Sequence, residues 1–403
     1  MVDDEIIYLD NNATTQLDPA VVEEMLPFLT KYYGNPSSGY AFAARARKAV
    51  DLARERLAAL VGCAPSEIVF TSGGTESNNA VIGSALAYSA VAAAKAGQLE
   101  PHGKHIVTSA VEHSAVLRPC QDLDKHGCRV TFLGVDPDGN VDLAELEAAI
   151  GPETALVSIM WANNETGVLF PVPKIAAICR RKGVLFHTDA VQAVGKIPIR
   201  LREAAISFLS LSAHKLHGPK GVGALYINGR TRFNSLIAGG GQENGRRGGT
   251  ENVAGVVGLG KAAELALKYL TEAKGNICSM RNRFEKAIRE SVNGASVNGA
   301  GALRISNTSS LSFDGIESSA ALLLLDRHGI CCSAGSACRT GSHEASHVLR
   351  AMNPNGDGAR RSLRFSFGRF NTEADVDRAI EIVPKVIEKL RATAVPRAIA
   401  AAT

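Results

Sequence analysis

The feature that most constrains the fold is an alternation of short apolar runs and longer amphipathic segments between residues 67 and 227. The apolar runs have the length and composition of buried strands, and they cover 68–70, 106–108, 130–133, 156–160, 184–186 and 208–209. Segments with helical spacing separate them, at 75–94, 114–125, 143–150 and 175–182. Such alternation predicts an α/β fold with a mostly parallel sheet and helices on both faces.

Composition narrows the classes of protein that this chain can belong to. The chain has 403 residues, of which 45% are hydrophobic and 21% charged, as is usual for a globular protein. A formal net charge of +4 is too small to indicate a nucleic-acid or membrane surface as partner. The acidic N-terminus lacks the apolar stretch of a signal peptide, and the apolar runs are too short for a membrane span. We therefore expect a cytoplasmic protein.

Small and polar residues follow five of the predicted strands. They are Gly74 and Thr75, then His113, then Asn164, then Asp189 and Gln192, and finally Ser212, His214 and Lys215. Parallel sheets bind ligands at the carboxyl ends of their strands, so these side chains are expected to share one site. Each of them taken singly also has an ordinary structural explanation, such as a turn, a helix cap or a solvated lysine.

Three of these positions indicate a specific chemistry when they are considered together. The small residues at 73–75 open a helix, and the N–H groups of a helix start can bind a phosphate. Asp189 ends a buried strand, where an acid is costly without a cationic partner. Lys215 lies on a turn after a strand, which suits a lysine that forms a Schiff base. An acid facing a pyridine nitrogen and a Schiff-base lysine are what a pyridoxal phosphate enzyme needs.

Ten stretches spread over nearly the whole chain resemble the cysteine desulfurases of the NifS/IscS group, which are fold-type I pyridoxal phosphate enzymes. They are 8–15, 34–38, 71–77, 111–113, 163–167, 187–192, 214–215, 246–252, 335–338 and 363–366. The resemblance implies a large domain, with a mostly parallel seven-stranded sheet flanked by helices, and a smaller α+β domain. It places the large domain at 16–265 and the small domain at 1–15 and 266–403. The small domain would carry a catalytic cysteine loop at about 331–345.

The resemblance also implies a role for each candidate residue. Lys215 would carry pyridoxal 5'-phosphate as an internal aldimine, Asp189 would pair with the ring nitrogen, and His113 would stack on the ring and shuttle protons. Gln192 would bond the ring hydroxyl, and Cys338 would be the nucleophile. The remaining contacts would be Gly74, Thr75, Ser212 and His214 to the phosphate, Thr250 to the phosphate of the partner subunit, Asn164 to the cofactor, and Asn12, Asn164 and Arg364 to the substrate.

The reaction implied by this resemblance converts L-cysteine to L-alanine and leaves the sulfur on Cys338 as a persulfide. An iron–sulfur scaffold or another acceptor protein would then receive the sulfur, and the enzyme would be a homodimer. The stretch 160–167 resembles the nitrogen-fixation branch of the group. That likeness implies a role in supplying nitrogenase.

The chain departs from the family pattern at three places, namely Tyr40, Arg339 and the segment 343–347. Its eight cysteines include no C-x-x-C pair, so most are expected to be small buried residues. Cys338 differs because its neighbours are polar and flexible. The adjacent Arg339 is expected to lower the pKa of the Cys338 thiol and so favour the reactive thiolate.

Three rival interpretations remain open at the level of the sequence. His343, Glu344 and His347 match the H-E-x-x-H motif of zinc peptidases, but a motif match without its helix is weak, so we predict no metal. A selenocysteine lyase or an aminotransferase would share the fold, although neither chemistry needs Cys338. A non-catalytic scaffold for iron–sulfur clusters is disfavoured because the cysteine spacing matches no cluster motif.

Overall fold

A computed structural model describes residues 6–95, 103–272, 276–334 and 345–394. Its strands are β1 Ile7–Tyr8, β2 Ile68–Thr71, β3 His105–Ser109, β4 Arg129–Leu133, β5 Thr154–Ser158, β6 Leu185–Asp189, β7 Phe208–Ser212, β8 Gly223–Ile227, β9 Ala295–Val297, β10 Thr308–Phe313, β11 Ile330–Cys331, β12 Ser333–Ala334 and β13 Ser362–Ser366. Its helices are α1 Pro19–Thr30, α2 Ala41–Val61, α3 Gly74–Lys95, α4 Ser114–Lys125, α5 Leu143–Ala149, α6 Val172–Lys182, α7 Val253–Glu272, α8 Asn276–Ser291, α9 Ser318–Arg327, α10 His347–Met352, α11 Gly358–Arg361 and α12 Glu373–Ala394.

The large sheet has seven strands in the order β2-β8-β7-β6-β5-β3-β4. The four pairings from β7 to β4 are parallel, whereas β8 is antiparallel to both of its neighbours. The six strands predicted from apolar runs are all present. The seventh strand, β8, follows β7 after a short connection that leaves no room for a crossover helix, which is why it is antiparallel. The mixed α/β fold with a mostly parallel sheet is confirmed.

Helices cover both faces of this sheet, as the alternation predicted. On one face, α2 buries Val50, Ala53 and Leu57 at helical spacing, and it ends at Gly62 with a left-handed φ of 69°. A side chain at Gly260 of α7 would place its Cβ 2.4 Å from the Cα of Ala53, so glycine allows α2 and α7 to pack closely. The other face packs against α3 and α4.

A second sheet of four antiparallel strands, in the order β12-β13-β10-β9, has its own apolar cluster. Phe284, Phe313 and Phe365 are fully buried in that cluster together with Ile7 and Leu9 from the N-terminal segment. In this segment β1 pairs in parallel with β11 as a separate two-stranded sheet, and Asp10 forms a parallel bridge to Ser366 of β13 in the four-stranded sheet. The cluster supports the predicted small domain, whose boundaries stay a prediction; α7 runs unbroken across the proposed boundary at 265/266.

The described part of the chain contains seven cysteines, of which Cys63, Cys120, Cys128 and Cys179 are buried, as expected for small core residues. Cys278, Cys331 and Cys332 are partly exposed. Across the described ranges, no helix has both the length and the apolar character needed to cross a bilayer.

Candidate active site

A cavity of about 330 Å³ lies at the carboxyl ends of the large-sheet strands, between that sheet and the four-stranded sheet. Eleven of the thirteen predicted site residues line it, namely Asn12, Gly74, Thr75, His113, Asn164, Asp189, Gln192, Ser212, His214, Lys215 and Arg364. Thr250 is exposed and does not line this cavity. Cys338 lies outside the described residues, as does the neighbouring Arg339. The sheet topology thus brings together residues that are spread over more than 350 positions of the chain.

Lys215 reaches the cavity from a one-turn 3-10 helix, Ala213–Lys215, that follows β7 directly. Its Nζ donates to the backbone carbonyls of Asn12 (2.5 Å) and Ala13 (2.6 Å). The turn is tight, because a Cβ on Gly218 would lie 2.9 Å from the carbonyl oxygen of Ala213. The lysine is therefore presented at a strand end with its amine beside the N-terminal segment.

Asp189 is the last residue of β6, and only 5% of its surface is exposed. Its carboxylate accepts hydrogen bonds from Asn78 Nδ2 (2.7 Å) and from the backbone N–H of Val191 (3.0 Å). The sequence led us to expect a cationic partner for this carboxylate. Among the described residues, both of these hydrogen-bond donors are neutral. A buried carboxylate held in this way can pair with a cationic group in the cavity, such as a protonated pyridine nitrogen.

The beginning of α3 borders the same cavity through Gly74 and Thr75. Backbone N–H groups in a first helical turn have no acceptor within the helix, and the helix dipole favours an anion there. A Cβ at Gly74 would lie 2.7 Å from Val191 Cγ2, so glycine allows the start of α3 to pack closely against Val191, which also lines the cavity. The helix start therefore suits the phosphate of a bound cofactor.

Ser212 and His214 add side-chain donors on the β7 side of the cavity. His214 Nδ1 lies 3.1 Å from Thr14 Oγ1. Burial, together with the positive charges of Lys215 and Lys220, lowers the pKa of His214 to about 4. The imidazole is therefore neutral at pH 7, and it can offer an N–H to an anion without carrying charge.

His113 precedes α4 and caps it, because its Nδ1 accepts a hydrogen bond from the Ala115 N–H (3.1 Å). In the neutral ring the proton must then be on Nε2. Burial lowers the pKa of His113, while the nearby Asp189 carboxylate opposes that shift. The ring is thus a neutral donor whose orientation is fixed by the helix start.

The neighbouring Glu112 is fully buried, and its Oε1 accepts hydrogen bonds from Ser109 Oγ and from the Met160 N–H, each at 2.8 Å. Burial raises the pKa of Glu112 to about 8. A protonated carboxyl therefore supports the loop that carries His113, and it fixes that loop to the end of β5. The sequence analysis did not single out this residue for a role of its own.

Arg364 enters the cavity from β13, on the side of the four-stranded sheet. Its guanidinium donates to the backbone carbonyl of Asn164 (2.9 Å) and forms an ion pair with Asp10 (2.7 Å). Asp10 also accepts from Ser333 Oγ (3.0 Å). A carboxylate substrate would share the guanidinium with Asp10, which follows β1. A position just after a strand is a signal that could have indicated its importance.

Asn12 lines the cavity, but its side-chain amide is largely engaged within the protein. Its Oδ1 accepts from Lys196 Nζ (3.0 Å) and Asn307 Nδ2 (3.1 Å), and its Nδ2 donates to Thr308 Oγ1 (2.8 Å) and the Asn164 carbonyl (3.2 Å). Both N–H groups of the amide are therefore used. The predicted contact of Asn12 with substrate stays a prediction.

Two residues beside the cavity were missed at the level of the sequence. Asn78, which bonds Asp189, lies one helical turn after Thr75 on α3, so helical spacing from the predicted phosphate site could have found it. Lys196 lies four residues after Gln192 and donates to its Oε1 (2.6 Å). Gln192 Nε2 in turn donates to the carbonyl of Asn12 (2.9 Å).

The metal-binding alternative gains no support from the described residues. His343 and Glu344 lie outside them, and His347 Nε2 is 2.9 Å from the carbonyl oxygen of Glu112. Within the described ranges, no group of three or more His, Cys, Asp or Glu side chains is arranged to hold a metal ion.

Comparisons with known proteins agree with this geometry. A family model described as aminotransferase class-V matches residues 7–379. The cysteine desulfurase 2 of Trichormus variabilis is 50% identical over 387 residues, which covers 96% of this chain and 94% of that protein. A cysteine desulfurase of Gluconacetobacter diazotrophicus is 51% identical with the same coverage. The solved structure of a NifS-like protein has a TM-score of 0.87 and 38% identity, and it covers 96% of this chain and 100% of that one.

Proposed function

We propose specific roles for the cavity residues, on the premise that the chain belongs to the class-V aminotransferase family and is a pyridoxal-phosphate-dependent cysteine desulfurase. The main support for these roles is that one cavity is lined by Lys215, by the buried Asp189 carboxylate with its neutral donors, and by the start of α3. These are the groups that the cofactor's aldehyde, ring nitrogen and phosphate require.

The residues present fit the cofactor. When bound, pyridoxal phosphate supplies an electron sink that makes the substrate's Cα–H bond acidic. Asp189 would hold a proton on the ring nitrogen, and Gly74, Thr75, Ser212 and His214 would bind the phosphate. Lys215 would hold the cofactor and move the proton at Cα of L-cysteine. His113, with Nε2 protonated, would give a proton to the departing product.

The substrate carboxylate binds Arg364, which is planar and can offer two parallel N–H groups to it. Asn164 and Asn12 fix the position of that guanidinium and of the N-terminal segment. Cys338 attacks the substrate sulfur as a thiolate. The carbon–sulfur bond of the substrate breaks, a sulfur–sulfur bond forms on Cys338, and alanine is released.

The first experiment measures alanine and sulfide release from L-cysteine by the wild type and by Cys338→Ala, while the visible absorption of the bound cofactor is recorded. We expect the variant to keep the absorption and to lose both products. Cys278→Ala is the matched control, because Cys278 is a partly exposed cysteine that lines a different cavity from the active site. Sulfide release by Cys338→Ala at the wild-type rate would exclude Cys338 as the nucleophile.

The sulfur is proposed to serve iron–sulfur cluster assembly, with nitrogenase as the final recipient. The stretch 160–167 and the similarity to a NifS-like structure support this proposal. The test follows radiolabelled sulfur from L-cysteine through the enzyme to a purified iron–sulfur scaffold protein. Deletion of the gene should lower nitrogenase activity more than the activity of other iron–sulfur enzymes. An equal loss of both activities would indicate general cluster assembly.

The enzyme is proposed to be a cytoplasmic homodimer in which Thr250 completes the phosphate site of the partner subunit. The exposure of Thr250 and of the apolar residues Val22, Leu26 and Leu29 on α1 supports this arrangement. Mixing inactive Lys215→Ala with Thr250→Ala should restore activity, because one site of the mixed dimer has both residues. Absence of recovery in dimers shown to have exchanged subunits would contradict the shared site. Cell fractionation tests the location.

A further inference from the structure

Lys196 lines a second cavity of about 420 Å³, and its amine contacts Gln192, which lines the active-site cavity. Its Nζ donates to two amide oxygens, Gln192 Oε1 at 2.6 Å and Asn12 Oδ1 at 3.0 Å. Within the described residues, no carboxylate forms an ion pair with it. An amine placed between two amide oxygens is an unusual environment for a lysine, which is ordinarily exposed or paired with an acid.

These contacts determine which way the Gln192 amide faces. Lys196 Nζ donates to Gln192 Oε1, and the Asn12 carbonyl, which can only accept, takes a hydrogen bond from Gln192 Nε2. Both contacts favour the same orientation, with Nε2 pointing away from Lys196. The Asn12 carbonyl, 2.9 Å from Nε2, is the same oxygen that Lys215 Nζ contacts.

The two amides depend on Lys196 to different degrees. Asn12 Oδ1 has a second donor in Asn307, and Asn12 Nδ2 has acceptors of its own, so that amide would keep its orientation without Lys196. Gln192 Oε1 has no second donor within the described part of the chain. The oxygen and nitrogen of an amide have nearly the same shape, so only hydrogen bonding distinguishes its two orientations.

We propose that Lys196 is a positioning residue that holds the Gln192 amide with Nε2 toward Lys215, so that this position offers the cofactor ring a hydrogen-bond donor. The proposal rests on the proposed role of Gln192 beside the ring oxygen. A donor there stabilises negative charge on that oxygen, which is greatest when the bound cofactor is deprotonated. Lys196 thereby tunes the pH at which the bound cofactor loses its proton.

Burial, together with the charges of Lys215 and Arg364, lowers the pKa of Lys196 well below that of an exposed lysine. A neutral amine still has two N–H groups to donate, and the Asn12 carbonyl, which can only accept, keeps Gln192 Nε2 on its own side in either protonation state.

The test is a pH titration of the visible absorption of the holoenzyme, in the absence of substrate. Lys196→Met keeps a side chain of similar length without a donor. We expect it to raise the midpoint of the titration by about 1 pH unit, since a hydrogen bond to a charged group is worth about a tenfold change in the equilibrium. Gln192→Leu should give the same change, and the double variant should give no further change. Lys174→Met, on the exposed surface of α6, is the control.

A midpoint for Lys196→Met within about 0.3 pH units of the wild type would overturn the proposal, and so would additive shifts in the double variant. If Lys196→Met does not fold, Lys196→Gln replaces it, because its amide can still donate. Its midpoint should then lie between those of the wild type and Gln192→Leu, and a midpoint at or beyond that of Gln192→Leu overturns the proposal. Retention of the wild-type absorption by Lys215→Ala would instead refute the role of Lys215.

Discussion

The two walls of the active-site cavity use charge in opposite ways. The wall formed by the large sheet places Asp189 among neutral donors and faces the cavity with the neutral imidazoles of His113 and His214. The wall formed by the N-terminal segment and the four-stranded sheet joins its cation, Arg364, to Asp10 in a largely buried ion pair. The first wall is arranged to receive the charges of the cofactor, whereas the second pairs its cation within the protein and would share it with the substrate carboxylate.

This difference separates ligand binding from stability. Changes at Asp189 in the large-sheet wall should act mainly on the cofactor, because its neutral partners remain in place. Changes at the Arg364–Asp10 pair of the opposite wall should act on folding as well as on substrate binding, because removing one member of a largely buried ion pair leaves the other without its partner. Four predictions test this contrast.

The largest effect is expected for Arg364→Ala, which leaves the largely buried Asp10 carboxylate without its cation. The free energy of unfolding should fall by about 3–5 kcal/mol, as measured by urea denaturation. The double variant with Asp10→Ala should lose less than the sum of the two single variants, because the partners act as a pair. A loss below about 1 kcal/mol for Arg364→Ala would mean that the Arg364–Asp10 pair contributes no more to stability than a surface ion pair.

Asp189→Asn removes the charge from the large-sheet wall while nearly preserving shape. The dissociation constant of pyridoxal phosphate should rise by about 10- to 150-fold, since a hydrogen bond to a charged group is worth about 1.5–3 kcal/mol. Fluorescence titration of the apoenzyme measures this constant. Asp122→Asn, at an exposed position on α4, is the matched control. An unchanged constant for Asp189→Asn would contradict the assignment of this wall to the cofactor.

Glu112 makes the large-sheet wall sensitive to pH. The folded chain keeps its proton up to about pH 8, whereas the ordinary pKa is 4.5, so its stabilising contribution is present below pH 4.5 and is lost as the pH rises toward 8. The stability difference between Glu112→Gln and wild type should therefore change in favour of the variant by about 1.4 kcal/mol per pH unit between these values. Urea denaturation at several pH values measures it. Parallel stability curves for the two proteins would show that Glu112 is ionised in the fold.

The smallest effect is expected for Ser333→Ala, which removes the hydrogen bond to Asp10 Oδ2 but leaves the ion pair intact. The free energy of unfolding should fall by about 1 kcal/mol, with cofactor affinity unchanged. The variant separates the contribution of the hydrogen bond from that of the ion pair. A loss of unfolding free energy as large as that of Arg364→Ala would mean that the ion pair depends on the Ser333 hydrogen bond.

The large-sheet wall was accessible from the sequence because one rule links its residues. Each lies at or just after the carboxyl end of a strand in one mostly parallel sheet, so strand order alone brings Asp189, Ser212 and Lys215 to the same edge. Local spacing could not reveal the contact between Arg364 and Asp10, which are 354 residues apart; Arg364 lies on β13, and Asp10 follows β1. The sequence placed Arg364 at the site only through its family resemblance, and it assigned Asp10 no role.

Buried polar contacts were the least predictable part of the site. Glu112, Asn78 and Lys196 act on other side chains, so their residue types carry no motif for a ligand. Their positions follow from how helices α3 and α4 and the turn after β6 pack over the sheet. The strand β8 was also missed. It is a short apolar run directly after a glycine-rich turn, and only its pairing with β7 identifies it as a strand.

The pairing of the first strand with the last quarter of the chain has a consequence for synthesis on the ribosome. Asn11 bonds Ser366 across 355 residues, and β1 pairs with β11. At about 5–20 residues per second, the N-terminal segment waits roughly 20–70 s before the strand that receives it exists. During this time the large sheet can fold, but the wall containing Asp10 and Asn12 cannot form. Nascent chains released early would therefore contain the lysine and its sheet without a complete active site.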